Sequence, residues 1–275
     1  MSRHTRIIAA AIMAPVAIAA VLWLPSPLLA ALIAAVMMIG LWEWTLLAGL
    51  RQTASRMAYL AVNAGLMAAL AWSAGRGLFP LKLVSLLGVG WWLLALIWLS
   101  RFEFASSDNA GNRAIKLLAG TLCVIPAWCA LVWLHASSPH GPAWALFALL
   151  VVWSADTGAY FVGVRYGKRK LASRISPGKS WEGFWGGLGL SLLLSFAAWP
   201  ALGLTLGNWP ALAMVTLLAA LASVLGDLFE SLLKRHASIK DSSDLIPGHG
   251  GVLDRLDSLL AALPVFVVAK LWLGL

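Results

Sequence analysis

The chain has 275 residues, of which 61% are hydrophobic and 11% are charged, and its mean hydropathy is +0.86. A soluble globular protein carries about 25% charged residues, so this composition excludes that class and indicates a polytopic membrane protein. The formal charge of +9 does not indicate nucleic-acid binding, because no aromatic–basic motif accompanies it. Basic residues at the inner ends of membrane spans explain that charge instead.

Nine apolar runs of membrane-spanning length follow one another along the chain. Their hydrophobicity is continuous rather than alternating, which predicts helices. The runs lie near residues 7–24, 28–50, 57–74, 81–100, 116–136, 143–164, 182–205, 209–230 and 257–274. The first run is as long as a bilayer crossing, so we expect a retained span rather than a signal peptide. We therefore predict an all-α polytopic integral membrane protein, with about nine transmembrane helices in one domain, residues 1–275.

The distribution of basic residues predicts the orientation of the chain. If the N-terminus is cytoplasmic, 17 of the 20 Lys and Arg residues fall in inner segments, and only Arg76, Lys82 and Lys270 fall in outer ones. The positive-inside rule then predicts a cytoplasmic N-terminus and a C-terminus on the outer side. The two longest polar loops, 165–180 and 236–256, then face the cytoplasm, where nucleotides are available.

Many of the 16 Trp residues lie near the predicted ends of spans. The amphipathic ring of Trp suits the lipid headgroup zone. We therefore expect interface anchoring by Trp23, Trp72, Trp98, Trp133, Trp144, Trp181, Trp199 and Trp209.

The acidic residues are distributed unevenly. Only Glu43, Glu103 and Asp108 lie in the first 150 residues, and the other eight run from Asp156 to Asp257. Charge beside hydrocarbon is costly and usually functional. We therefore predict that residues 143–275 form the catalytic half and residues 1–142 mainly a scaffold. Glu43, alone in an apolar span, either marks an ion pathway or pairs with a basic group near the inner face.

Three polar residues near the end of the eighth run are spaced for one helix face. Asp227, Ser231 and Lys234 stand at positions i, i+4 and i+7, so they point the same way on a helix. A carboxylate, a hydroxyl and an ammonium group together suit a surface that holds metal and phosphate. The structural alternative for this trio is a salt bridge at the helix end.

Further along, Asp254 and Asp257 are three residues apart and share a face if that segment is helical. Because Mg²⁺ is usually held by one or two carboxylates plus phosphate oxygens, we predict that Asp254 and Asp227 share a Mg²⁺ ion. The preceding Gly250 and Gly251 can aim backbone N–H groups at an anion. His249 either serves a phosphate or a carboxylate, or is structural.

A second polar loop runs from Asp156 to Gly183. Its Gly178-Lys179-Ser180 sequence resembles the end of a P-loop, but the first Gly of that motif is missing and no strand precedes it, which excludes a Walker site. Its basic cluster alone is typical of positive-inside bias or of a surface for anionic headgroups. Ser176 and Lys179 gain interest because they lie near Asp156 and Glu182.

The segment Ser231 to Asp257 resembles, at every fixed position, the signature of phosphatidate cytidylyltransferases, also called CDP-diacylglycerol synthases. That signature reads Ser-x-apolar-Lys-Arg, four residues, Lys-Asp, a small residue, then apolar-Pro-x-His-Gly-Gly-apolar-x-Asp-Arg-apolar-Asp. The segment 156–183 is similar to the family's second conserved loop, with Ser180 where Thr is more frequent and Ser173 where Pro is common. The resemblance covers roughly residues 150–258; the first half matches only in hydropathy, with Glu43 as one further candidate position.

The resemblance implies that CTP and phosphatidic acid react, with Mg²⁺ that K⁺ can accompany, to give CDP-diacylglycerol and pyrophosphate for phospholipid biosynthesis. It also implies a homodimer in the bacterial inner (cytoplasmic) membrane, with the active site facing the cytoplasm. By position, the metal ligands are Asp227 and Asp254, and the catalytic residues are Asp227, Asp254, Lys234, Lys240 and Arg255. The predicted substrate-binding residues are Asp156, Ser176, Lys179, Ser231, Arg235, Asp241, His249, Gly250, Gly251 and Asp257. Among these, the basic side chains Lys234, Arg235, Lys240 and Arg255 are expected to neutralise phosphates.

Two other functions stay open on the residues alone. A CTP-dependent lipid-alcohol kinase resembles this family in its C-terminal half and would release CDP rather than pyrophosphate. A transporter is the non-enzymatic alternative. Transport sites usually lie at mid-membrane, often in repeated halves, whereas here the charge lies at the predicted inner face and no repeat is visible.

Overall fold

The structure, a computed structural model, describes residues 3–245 and 250–275, with side chains from Met13 onward in those ranges. The described chain folds into nine α-helices joined mainly by short loops. They are α1 (Arg3–Trp23), α2 (Ser26–Leu47), α3 (Thr53–Ala74), α4 (Phe79–Ser100), α5 (Ala110–Ala136), α6 (Gly141–Tyr166), α7 (Trp181–Ala198), α8 (Trp209–His236) and α9 (Leu253–Trp272). The all-α polytopic architecture predicted from the sequence is therefore confirmed.

Seven segments of the described chain, corresponding to α2 through α8, are long and apolar enough to cross a membrane. The helix α9 has 20 residues but carries Asp254, Arg255 and Asp257 in its first turns. These charges lie at the N-terminal end of the helix, and the predicted count of nine spans stays a prediction.

A short β-hairpin between α6 and α7 was not predicted. Its strands β1 (Lys170–Ala172) and β2 (Ser176–Ser180) are antiparallel, with Lys170 opposite Ser180 and Ala172 opposite Ser176. Two strands this short are not stable alone, so contacts with neighbouring helices must hold the hairpin in place.

Two helices that carry the polar residues are longer than the apolar runs predicted. The helix α8 continues to His236, six residues beyond the predicted end, and Glu230 and Lys234 form an i,i+4 ion pair within this polar extension. Such pairs stabilise a helix. The helix α9 begins at Leu253 rather than near residue 257, because the Glu43 carboxylate accepts the backbone N–H groups at its start.

The expectation of interface anchoring is wrong for three of the Trp residues, because Trp98, Trp133 and Trp144 are buried inside the protein. Trp23 and Trp72 are exposed, as expected. Trp98 shows why burial is favourable: its Nε1 donates to the Phe104 carbonyl over 3.1 Å, and its ring packs against Phe229. A buried Trp whose N–H group has a hydrogen-bond partner inside the protein does not need the polar groups of the membrane–water interface.

Glycines let the helices of the second half approach each other at backbone distance. A Cβ atom at Gly158 of α6 would lie 2.5 Å from the Gly186 carbonyl oxygen of α7. A Cβ atom at Gly226 of α8 would lie 2.3 Å from the Asp257 carbonyl oxygen of α9. Small residues permit this close packing of membrane helices, and here they draw together the helices that carry the predicted site.

Candidate active site

One cavity of about 450 Å³ collects most of the predicted site residues. It lies among α6, the hairpin, α7, α8 and the start of α9. Its wall includes five carboxylates and three cationic side chains, namely Asp156, Asp227, Asp241, Asp254, Asp257, Lys179, Lys234 and Arg255. All eight belong to the set predicted from the sequence, so the structure brings together residues that are up to 101 positions apart.

Asp227 lies on α8 between a lysine and a serine. The Lys179 ammonium, carried by β2, lies 2.6 Å from Asp227 Oδ2. One turn further along α8, Ser231 Oγ donates to Asp227 Oδ1 over 3.2 Å. The predicted shared face is therefore confirmed for Asp227 and Ser231, and Lys234, the third member of that trio, lines the same cavity as Asp227. Both members of the Lys179–Asp227 pair remain about one quarter exposed, at 24% and 27%, so the pair is accessible from the cavity.

Asp254 is held more tightly, in the first turn of α9. Its Oδ1 accepts a hydrogen bond from Lys234 Nζ at 2.6 Å. Its Oδ2 accepts from the backbone N–H groups of Ser242 at 2.9 Å and Gly251 at 2.8 Å. The side chain is only 6% exposed. With the Ser242 hydroxyl, which lies 2.9 Å from Oδ2, four donors hold this nearly buried carboxylate in position.

Lys234 also contacts a second acid, Glu230, which the sequence analysis did not single out. Lys234 Nζ lies 2.7 Å from Glu230 Oε2, so the two side chains form a nearly buried ion pair. This ammonium group therefore lies between two buried carboxylates, one of which is Asp254. The i,i+4 spacing of Glu230 and Lys234 was the available sequence signal.

Glu43 reaches this region from α2, in the first half of the chain. Its carboxylate accepts from the backbone N–H groups of Val252 and Leu253 and from the hydroxyls of Ser242 and Ser243. One of the two alternatives for Glu43, pairing with a basic group, is not found, since no Lys, Arg or His nitrogen in the described ranges lies within 4.0 Å of it. Glu43 instead accepts hydrogen bonds from the loop between α8 and α9, which carries much of the family signature, and from the first residue of α9.

The remaining predicted residues that the structure describes are not part of the described cavity wall. Arg235 Nε donates to the Ile175 carbonyl in the hairpin. The N–H group of Gly251 donates to Asp254 rather than into open space. Ser176 lies on β2, and Lys240 and Gly250 lie in the loop between α8 and α9. His249 lies outside the described residues, and the substrate-contact roles of this group stay predictions.

The hairpin that presents Lys179 is fixed at both ends. At its base, Glu182 Oε2 accepts from the backbone N–H groups of Lys168 at 3.0 Å and Arg169 at 3.2 Å. At its turn, Arg174 pairs with Glu103 from the loop between α4 and α5. The first half of the chain therefore contacts the site at two places, through Glu43 and through Glu103.

The donor set of the cavity fits a hard cation. Among the described residues, no three His, Cys, Asp or Glu side chains are grouped so as to hold a metal ion by themselves. Mg²⁺ needs only one or two carboxylates when substrate phosphates complete its shell. Asp227 and Asp254 each already accept from an ammonium group, so positive charge is favoured at both carboxylates.

Comparison with known proteins extends the similarity over almost the whole chain. The model of the cytidylyltransferase family matches residues 4–272. The chain is 45% identical over 273 residues to a phosphatidate cytidylyltransferase of Pseudomonas aeruginosa, which covers 97% of this chain and 96% of that protein. It is 40% identical over 249 residues to a phosphatidate cytidylyltransferase of Haemophilus influenzae, and this alignment covers 84% of this chain and 86% of that protein. It is 35% identical over 214 residues to one of Bacillus subtilis, with 67% and 78% covered.

Proposed function

Because the chain belongs to the cytidylyltransferase family, we propose that it transfers the cytidylyl group of CTP to phosphatidic acid, giving CDP-diacylglycerol and pyrophosphate. The observation that carries this proposal is the similarity, over nearly the full length of both chains, to a relative named for that reaction. The cavity supports it, because its charged side chains lie at the ends of apolar helices, where a lipid phosphate and a nucleotide can meet.

The chemistry requires charge control rather than a strong base. A phosphate oxygen of phosphatidic acid attacks the α-phosphorus of CTP, and the bond from that phosphorus to the β-phosphate oxygen breaks. The electron pair leaves with pyrophosphate. A phosphomonoester carries about −1.5 to −2 charges at neutral pH, so its oxygen is already nucleophilic. The obstacle is the repulsion between two polyanions, and phosphoryl-type transfer depends mainly on positioning and charge stabilisation.

Asp227 and Asp254 are the residues that would hold Mg²⁺, with K⁺ as a companion ion. The ion supplies positive charge where the phosphates of both substrates gather. The composition of the cavity wall supports this assignment, because its five carboxylates outnumber its three cationic side chains.

Among the side chains, Lys179 and Arg255 are the best placed to contact phosphates. Both line the cavity. Lys179 is partly exposed beside Asp227, and Arg255 is exposed with no carboxylate within 4.0 Å among the described residues. An Arg side chain of this kind can bind phosphate through two parallel N–H groups.

The proposed enzyme spans the bacterial inner membrane with nine helices, a cytoplasmic N-terminus and an outer C-terminus. The charge distribution supports this orientation. The arrangement of the site agrees with it, since α6 and α8 end near the cavity and α7 and α9 begin there. Spans that alternate in direction place these four helix ends on one side, which is the cytoplasmic side in this topology. The family resemblance supports a homodimer.

The direct test is to incubate the purified, detergent-solubilised protein with phosphatidic acid, CTP and Mg²⁺, and to identify the products by mass. We expect CDP-diacylglycerol and pyrophosphate in equal amounts. If phosphatidic acid is not consumed but a polyprenol yields a phosphorylated lipid and CDP, the protein is a lipid-alcohol kinase. Absence of both reactions from folded protein would contradict the proposal as well.

A further inference from the structure

We propose that Glu43, on α2, is a positioning residue that acts through Ser242 on the Asp254 carboxylate. This inference rests on the proposed function, since it concerns the metal-binding carboxylate of the same site. Glu43 is 2% exposed and does not line the cavity as the structure describes it. Its effect on the reaction must therefore pass through other residues.

Glu43 binds the backbone at the start of α9. Leu253 N donates to Glu43 Oε2 over 2.6 Å, and Val252 N donates to Oε1 over 3.1 Å. The first N–H groups of a helix have no partner within the helix, and a carboxylate there is also stabilised by the helix dipole. Glu43 therefore fixes the start of α9, and Asp254 is the residue immediately after its Leu253 contact.

Glu43 and Asp254 also share a serine. Ser242 Oγ lies 3.1 Å from Glu43 Oε2 and 2.9 Å from Asp254 Oδ2. A hydroxyl has one hydrogen, so it can donate to only one carboxylate at a time. The Ser242 N–H group also donates to Asp254 Oδ2, over 2.9 Å. Asp254 therefore keeps a donor from Ser242 while the hydroxyl serves Glu43.

Gly251 leaves the space for this arrangement. A Cβ atom at position 251 would lie 2.0 Å from Ser242 Oγ and 2.6 Å from Glu43 Oε2. Both distances are far below van der Waals contact. A glycine at this position is thus required by the link from Glu43 through Ser242 to Asp254, independently of any contact with phosphate.

Outer partners of this kind orient a metal-binding carboxylate, and their loss typically costs about 10–100-fold in metal affinity or activity. Glu43→Gln keeps the shape of the side chain but replaces one acceptor oxygen with an NH₂ group. Since all four of its observed partners are donors, the new NH₂ group must face donors. The start of α9 and Ser242 should then shift, and the Asp254 carboxylate with them.

The test measures Mn²⁺ binding to the full-length, detergent-solubilised protein by electron paramagnetic resonance, with Mn²⁺ alone as the probe. We expect Glu43→Gln to weaken binding about 10–100-fold, and Ser242→Ala to weaken it by a smaller factor. The Mg²⁺ concentration for half-maximal CDP-diacylglycerol formation should rise in parallel, while the KM for CTP at saturating Mg²⁺ stays near the wild-type value. Asp108→Asn, which removes an exposed acid of the first half, is the matched control. It should change neither the Mn²⁺ affinity nor the Mg²⁺ concentration for half-maximal product formation.

A double variant shows whether Glu43 acts through Ser242. If it does, adding Ser242→Ala to Glu43→Gln should change Mn²⁺ affinity by less than about twofold, because coupled residues are not additive. Fully multiplied losses would overturn the link. If Glu43→Gln fails to fold, Ser242→Ala alone decides, and unchanged Mn²⁺ affinity in that variant contradicts the proposal. Wild-type protein that binds no Mn²⁺ also contradicts it, whereas Mn²⁺ binding without CDP-diacylglycerol formation rejects only the proposed function.

Discussion

Two contact regions of the molecule pack by different means. Helices α2 and α4 meet α8 through large aromatic rings, since four Trp side chains surround Phe229 at centroid distances between 5.2 and 6.4 Å. Helices α6 and α7 meet each other through glycine backbone, and so do α8 and α9 at Gly226. Aromatic rings fill space and resist movement, whereas glycines bring backbones close together.

This difference shows how a chain with few charges builds a charged cavity inside a membrane protein. The Trp side chains of the first half pack against Phe229 of α8, which is two residues from Asp227 in the sequence. The second half supplies the described cavity wall and all eight of its charged side chains. The division into scaffold and catalytic half stays a prediction, but the scaffold half is not passive, since Glu43 contacts the start of α9 and Glu103 contacts the hairpin.

The largest effect is expected from Lys234→Gln in the second half. This change leaves Glu230 and Asp254 buried without their shared cation, and breaking such a pair costs about 3–5 kcal/mol. Lys179→Gln is the matched control, because its pair with Asp227 is partly exposed and should contribute about 1 kcal/mol or less. Thermal unfolding in detergent measures both variants. Equal losses would mean that burial does not distinguish the two pairs.

Asp227→Asn should remove activity while the fold survives. The variant loses the negative charge proposed to hold metal, and the loss in rate should be on the order of 10²–10³-fold, as for other preorganised charge-stabilising groups. Lys179 stays hydrated because it is partly exposed, so the unfolding temperature should change little. CDP-diacylglycerol formation at saturating CTP is the measurement, and near-normal turnover would refute the metal assignment.

Gly226→Ala tests the close packing of the second half. Its Cβ would lie 2.3 Å from the Asp257 backbone oxygen, so α8 and α9 must separate, at a cost of about 1–3 kcal/mol. Gly65→Ala on α3 has no atom within 4 Å of the added Cβ and should be neutral or slightly stabilising. Unfolding temperature and activity should both fall for Gly226→Ala but not for Gly65→Ala. A similar fall in both variants would contradict the close packing of α8 against α9 as its cause.

The smallest effect is expected at the hairpin. Glu103→Gln breaks the ion pair with Arg174. The side chains of Arg174 and Glu103 are 64% and 71% exposed. Exposed pairs are worth about 0–1 kcal/mol, so the KM for CTP should rise by no more than about fivefold. A larger rise would show that the loop between α4 and α5 controls the position of Lys179 more strongly than an exposed ion pair can.

Much of this architecture could be predicted because its signals are local. Continuous apolar runs predicted the helices, and the helical spacing of Asp227 and Ser231 predicted their shared face. The partners of Glu43 carried no such signal, since 210 positions separate it from Leu253. The buried Trp98, Trp133 and Trp144 escaped prediction for a different physical reason: lipid and protein interior are equally apolar, so hydropathy does not say which one a ring faces.

The central claim is that the cavity transfers the α-phosphoryl group of CTP with its cytidine. The most direct measurement compares CTP labelled with ³²P at the α-position and at the γ-position, using phosphatidic acid as acceptor and the Asp227→Asn variant as the blank. We expect that the lipid becomes labelled from α-labelled CTP only, and that the γ-label leaves in pyrophosphate. Lipid labelled from γ-labelled CTP would contradict the account and identify a kinase.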